Sequence, residues 1–323
     1  MNLPRRRLLQ WAAGAMALLP WRRAAGAIDY PMRPVHIVVG YPPGSSPDVV
    51  ARLIGQWLSE RLGQQFVIDN RPGASGNIAT QAAAKSPADG YTLLLTVSTH
   101  AINATLYPHL NVDFGKDLIP VVGLGYIPFM IVVNPAFPAK TVPELIAYAK
   151  AHPGKVDMAT NGVGTGSHVS GELFMMMTGT KLTHVPFKGN YLTDLIGGQV
   201  PLAFSPAASV IEHIKDGKLH GIGVTTAARS NALPDIPAIG ESVPGYEATG
   251  WYGLCAPNGT PAQVIDKLEK ALLAGVADPE FRSRLATLGI ERGSMTTAEF
   301  GKFITAEIEK WAKVVKFADI KVE

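Results

Sequence analysis

Cysteine is almost absent from this 323-residue chain: Cys255, in the apolar run WYGLCAP, is its one thiol. No intramolecular disulfide can form, an oxidising compartment is still tolerated, and the thiol is expected to be buried and structural. Metal-ligand spacing is missing too. His100 and His109, or His213 and His220, are weak pairs, and neither Cys-x-x-Cys nor His-Glu-x-x-His occurs, so no metal site is expected. Gly162-x-Gly164-x-Gly166 lacks the last spacing of the dinucleotide fingerprint, and no Lys-Ser/Thr of a phosphate loop accompanies it, which argues against a nucleotide cofactor. The absence of Gly-x-Ser-x-Gly weakens a serine hydrolase.

Charge is sparse as well. The formal net charge is +3, but Arg5, Arg6, Arg7, Arg22 and Arg23 all lie within the first 27 residues, where no acid occurs; without that segment the chain carries about −2. Nothing therefore suggests a nucleic-acid surface. The segment itself reads as an export signal: three arginines, an apolar run over residues 8–19 too short to span a bilayer, and Ala25-Gly26-Ala27 as a peptidase site. The order Arg-Arg-Arg-Leu-Leu resembles a twin-arginine signal, and cleavage after Ala27 would place the mature chain in the periplasm.

What is present is a hydrophobic content of 47%, ample for cores, and a pattern that occurs twice. Residues 36–52 read HIVVGYPPGSSPDVVAR: an apolar strand, a Pro/Gly/Ser loop, then a helix. Residues 156–172 read VDMATNGVGTGSHVSGE, the same succession with Gly162, Gly164 and Gly166 in the loop. A loop opening a helix points backbone N–H groups at whatever lies above it, and the helix dipole adds partial positive charge. Each copy is followed by a short strand, residues 65–68 and 182–185, so two sheets and two domains are expected. With the helix starts flanking one cleft, a small carboxylate held between them is the functional expectation. The residues expected at the ligand are Tyr41, Gly44, Ser45 and Ser46 in the first loop and Asn161, Gly164, Thr165, Ser167 and His168 in the second. Ser98 and Thr99 join them where an almost continuously apolar strand, residues 91–97, empties toward the cleft.

Residues 118–133 are extended and apolar and read as the crossing into the second domain, while residues 249–257 carry the chain back. Domain 1 is thus expected over residues 28–128 and 249–323, and domain 2 over 129–248. Capping signals open the remaining helices: Thr141 with Glu144, Asp278-Pro279-Glu280, and Thr296 with Glu299. Ser98, His100, Ser167 and His168 could pair as nucleophile and base across the cleft, yet polar residues at loop-helix junctions also serve as caps or ligand donors. Arg52 and Arg71 either tie loops together or meet the ligand, and Lys188 is an anion partner or a solvated lysine.

The phrases Pro43-Gly44 through Asp48 to Arg52, Asn70-Arg71-Pro72-Gly73-Ala74, Asp89-Gly90-Tyr91-Thr92-Leu93, Ser167-His168 with Gly171-Glu172-Leu173, and Gly197-Gly198-Gln199-Val200 resemble the Bug family. So do Ala228-Arg229-Ser230 and Leu233-Pro234-Asp235-Ile236-Pro237. These are periplasmic solute-binding proteins of tripartite tricarboxylate transporters. The resemblance implies an α/β, two-domain Venus-flytrap fold (type II) with two crossover strands. It also implies a carboxylate ligand held by main-chain N–H groups and waters, and a monomer that serves a membrane permease or a membrane sensor. An exported enzyme using the same cleft is the alternative. Phe204-Ser205-Pro206 stands where the family has Phe-Asp; by that analogy Ser205 faces the cleft, and the lost carboxylate disfavours amino-acid ligands.

Overall fold

A computed structural model of the chain describes residues 29–107, 109–187, 190–230, 233–291 and 293–321. The export segment and Lys188 lie outside the described residues. Strand β1 (Val35–Val39) leads into helix α1 (Ser46–Leu62), which ends on left-handed Gly63, and β2 (Phe66–Asn70) follows. Helix α2 (Asn77–Ala84), strand β3 (Thr92–Val97), helix α3 (Ser98–Leu106) and the single turn α4 (Phe114–Asp117) precede the long strand β4 (Leu118–Val133).

Helix α5 (Val142–Ala151) has Thr141 as its cap, accepting the Glu144 N–H. The Glu144 carboxylate, however, accepts from the N–H of Lys140 at 2.7 Å rather than from that of Thr141. Then come β5 (Asp157–Thr160), α6 (Gly166–Thr178), β6 (Thr183–Pro186), α7 (Leu192–Ile196), β7 (Leu202–Pro206), α8 (Ala207–Lys215) and β8 (His220–Val224). Strand β9 (Thr249–Pro257) returns to the first sheet, and three helices finish the chain: α9 (Ala262–Ala277), α10 (Pro279–Thr287) and α11 (Thr297–Phe317). The caps of α10 and α11 are the ones expected, with Asp278 accepting two N–H groups and Thr296 forming a reciprocal box with Glu299.

The strands run in the order β2-β1-β3-β9-β4-β7-β5-β6, with β8 also on β4. Strands β1 to β3 are parallel and β9 is antiparallel to both β3 and β4. From Leu118 to Pro128, β4 pairs with β9; from Phe129 to Val133 it pairs with β7 and β8. One strand thereby belongs to both sheets, and the change of partners falls between Pro128 and Phe129. The glycines inside β4 do not end it: its pairing with β9 shifts register between Pro120 and Val122 and again between Gly123 and Gly125.

Every residue of β9 is buried. Gly253 is needed there because a methyl group at its α-carbon would sit 2.2 Å from the Phe300 ring of α11. That helix packs on α3, β4 and α6. Its inward stripe includes one residue that an apolar reading passes over, Glu307, which is 3% exposed. Glu307 Oε2 accepts from the indole N–H of Trp251 at 3.0 Å and of Trp311 at 2.9 Å, and Lys310 pairs with Oε1. Two buried donors and a buried carboxylate thus satisfy each other.

Candidate functional site

The first loop is shaped by a carboxylate. Asp48 lies in the first turn of α1 and is 1% exposed. Its Oδ2 accepts from the N–H of Gly44 at 2.8 Å and from Arg52 Nε at 2.9 Å; its Oδ1 accepts from Arg52 and from Asn70 Nδ2, which also reaches the Tyr41 carbonyl. Burial pushes the Asp48 carboxyl upward, but the hydrogen bonds from Arg52, Gly44 and Asn70 outweigh it and the net shift is down. Arg52 is therefore a tie within the loop, as is Arg71, which pairs with Asp69.

Because Gly44 spends its N–H on Asp48, and Ser45 donates its hydroxyl to Pro42 O at 2.6 Å, these two residues hold the loop. The first helical hydrogen bond is that of Val49 N–H to Ser45 O. Ahead of it, the N–H groups of Ser46 and Asp48 have no protein acceptor among the described residues. Around them stand hydroxyls. Ser46 Oγ lies 3.0 Å from the hydroxyl of Tyr252 on β9, and the Tyr41 hydroxyl is bonded to Thr99. Burial pushes Tyr252 up to about 12 and raises Tyr41 as well, so both phenols are neutral donors. Ser98, one residue from Thr99 at the start of α3, is buried.

The second loop is shaped by an imidazole. His168 Nδ1 accepts the Gly164 N–H at 3.1 Å, which puts its proton on Nε2, 3.3 Å from Glu172. The ring of His184, from β6, stacks on His168 with centroids 3.7 Å apart, and His184 Nε2 meets Thr160 Oγ1 at 2.7 Å. Burial, followed by the neighbouring His168, pushes His184 down to about 4. Ser167 Oγ accepts the Asn161 N–H at 3.1 Å and lies 3.0 Å from Thr165 Oγ1; Thr165 caps α6. The N–H groups of Gly166 and Ser167, ahead of the first helical bond at Val169, have no protein acceptor among the described residues. The two halves approach each other at this point: a methyl group on Gly164 would lie 2.6 Å from Leu106 of α3.

The structure thus gathers Tyr41, Ser46 and Thr99 into one cluster and Asn161, Gly164, Thr165, Ser167 and His168 into another. Sequence reasoning missed Tyr252, His184 and the shaping role of Asp48. Ser205 differs from expectation. It lies within β7 opposite Met130, is 0% exposed, and accepts the hydroxyl of buried Tyr191 at 2.6 Å. Alternation along β7 puts Ser205 on the face that Tyr191 covers, so its hydroxyl reaches no open space. It does not cap α8 either, whose cap position is Pro206 without a side-chain bond. No hydrogen bond joins Ser98 or Ser167 to His100 or His168 among the described residues, and both nitrogens of His168 are engaged elsewhere. These four residues therefore form no nucleophile-base pair among themselves.

A family model described as "Tripartite tricarboxylate transporter family receptor" matches residues 50–320. Protein BugT of Bordetella pertussis is 36% identical over 302 residues, covering 92% of this chain and 93% of its own. Among solved structures, R. palustris Rpa4515 with adipate is 37% identical with a TM-score of 0.77, covering 90% of this chain and 99% of its own. MatC from Rhodopseudomonas palustris with bound malate is 30% identical with a TM-score of 0.72, covering 88% and 100%. The chain therefore belongs to the tripartite tricarboxylate transporter receptor family, the solute-binding proteins that include the Bug proteins.

Proposed function

We propose that this protein captures a small organic carboxylate between the starts of α1 and α6 and presents it to the membrane permease of a tripartite tricarboxylate transporter. The observation that carries this is the pair of helix starts, each with two backbone N–H groups left without a protein acceptor among the described residues and a rim of neutral hydroxyls, while the nearby arginines are tied to aspartates. The relatives solved with adipate and malate support the same ligand class. Residues 28–128 with 249–323 form one lobe and 129–248 the other, closing on the ligand about Pro128 to Phe129 and the start of β9. Export to the periplasm, with residues 1–27 removed after Ala27, places the site outside the cytoplasm; no described helix is long and apolar enough to cross a membrane. The cleft binds without turnover.

Charge-assisted hydrogen bonds contribute about 1.5–3 kcal/mol each, and micromolar affinity requires about 8 kcal/mol, so neither helix start suffices alone once ordering costs are subtracted. Calorimetry with a panel of mono- and dicarboxylates tests this on the wild type, Ser46→Pro and Ser167→Ala. Ser46→Pro deletes one free N–H, and the extended Ser45 (φ −70°, ψ 160°) tolerates a following proline. Each variant is expected to bind the best acid at least about tenfold more weakly. Unchanged affinity in both would remove the two-sided site.

A further inference from the structure

Between α8, α10 and strand β4 lies a cavity of about 590 Å³ that shares none of the residues placed at the two helix starts. Its volume is that of a small-molecule site. The walls are aliphatic: Pro128 of β4, Ile211 of α8, Val276 of α9, Leu285 of α10 and Ile290 just beyond it. Helix α8 and the chain after α10 come together at Gly289, where a methyl group would lie 2.7 Å from Ala208. Two charged side chains line this space, Arg282 and Glu291. Glu291 is engaged, its Oε1 accepting the Ser230 hydroxyl at 2.5 Å. Arg282 is half-buried and is not engaged. Among the described residues, four other arginines pair with carboxylates, Arg61 lies over the Trp57 ring and Arg284 reaches Gln56, but the Arg282 guanidinium has no hydrogen bond, ion pair or ring contact. The acid one turn before it, Asp278, accepts the N–H groups of Glu280 and Phe281 instead. A cation set into an aliphatic wall without a protein anion is a group left over for a guest.

The chemistry of the walls selects the guest. A guanidinium offers a planar fork of donors that matches the two oxygens of a carboxylate. The aliphatic surround rewards an apolar body, which leaves water on entering. Glu291 sets a limit on charge: a second anionic group in the same space would be repelled by it, so the guest carries one negative charge and not two. That separates it from the dicarboxylates seen on relatives. We propose that this cavity is a second ligand site, for a monocarboxylate with a bulky apolar body of naphthoate or decanoate size. The carboxylate rests on Arg282, and the body lies against Ile211, Leu285 and Ile290.

The test is titration calorimetry of the full chain with 2-naphthoate and decanoate as probes and the uncharged 2-naphthamide as control. Saturable binding of both acids with a Kd of about 1 mM or tighter is expected, with the amide at least about tenfold weaker than naphthoate. Arg282→Gln should weaken naphthoate binding by about tenfold. Ala286→Trp, which fills the cavity from an exposed position on α10, should abolish it. The dicarboxylate that binds best to the wild type should bind both variants unchanged, and naphthoate should still bind Ser46→Pro, which sets this site apart from the cleft. Absence of saturable binding for both acids overturns the site, and so does naphthoate binding that is equal in the wild type, Arg282→Gln and Ala286→Trp. Loss of naphthoate binding in Ser46→Pro would put that acid in the cleft and overturns the second site as well.

Discussion

The two loops at the candidate site spend one glycine N–H each to hold their shape, but they give it to opposite kinds of acceptor. Gly44 donates to a buried anion, Asp48, which also gathers Arg52 and Asn70; Gly164 donates to a neutral imidazole, His168, braced by the stacked His184 and by Glu172. The first loop is thus an ionic hub built within 70 residues of chain start, and the second a chain of neutral rings and hydroxyls. A shared task, leaving the next N–H groups of the helix free, does not require shared chemistry. It does make the two loops fail differently.

Removing the anion should do the most damage. Asp48→Ala leaves the Gly44 N–H and one of the two Asn70 amide hydrogens without an acceptor, and is expected to destabilise the chain by about 2–4 kcal/mol, the lower end applying because Arg52 is largely solvated. Urea unfolding of the variant measures this, and a loss below about 1 kcal/mol would mean that the loop holds its shape without the hub.

The imidazole should matter less. His168→Ala orphans the Gly164 N–H and should cost about 1–3 kcal/mol, with a parallel loss of ligand affinity. His168→Asn, whose amide oxygen can accept the same N–H, should recover part of that affinity in calorimetry; if alanine and asparagine behave alike, His168 acts by volume rather than by its hydrogen bond.

The smallest effect is the one that separates the loops by pH. His184 sits at about 4 in the folded chain against 6.5 in the unfolded one, so its contribution is complete above pH 6.5 and is lost as pH falls toward 4. His100 follows the same course, whereas the depressed carboxyl of Asp48 contributes fully above its ordinary 3.8 and loses stability only as pH falls below it. Unfolding free energy measured between pH 7 and 4 should therefore decline, and His184→Gln should remove roughly half of that decline. An unaltered slope in His184→Gln would show that the stacked pair carries none of it.

These differences also mark what a reader of the sequence can see. Loop-helix junctions, the all-apolar strands and the capped helices are local patterns, and α5, α10 and α11 begin within two residues of their signals. Asp48 and Arg52 have the spacing of a helical i to i+4 pair, but that spacing left Arg52 open between a tie and a ligand contact, and Asn70 joins them from another strand. Tyr252 reaches Ser46 across more than half of the chain, and His184 meets His168 only because β6 lies beside β5. Nothing local encodes such meetings. Ser205 was put at the cleft by analogy with the family's aspartate, and the analogy carries no information on Tyr191, which covers that hydroxyl in the fold.

The place of β9 between β3 and β4 has a consequence in time. Those two strands are complete once residue 133 has been made, yet they do not pair with each other, and the strand that joins them is residues 249–257. While the intervening chain emerges, β3 and β4 each present a bare edge rich in valine, leucine and isoleucine, the kind of surface that recruits stray strands. Phe300, Glu307 and Trp311, which seal β9 in place, arrive later still. The first sheet is therefore the last to close during synthesis, and a nascent chain of this protein depends on being kept from its neighbours until its final helix is made.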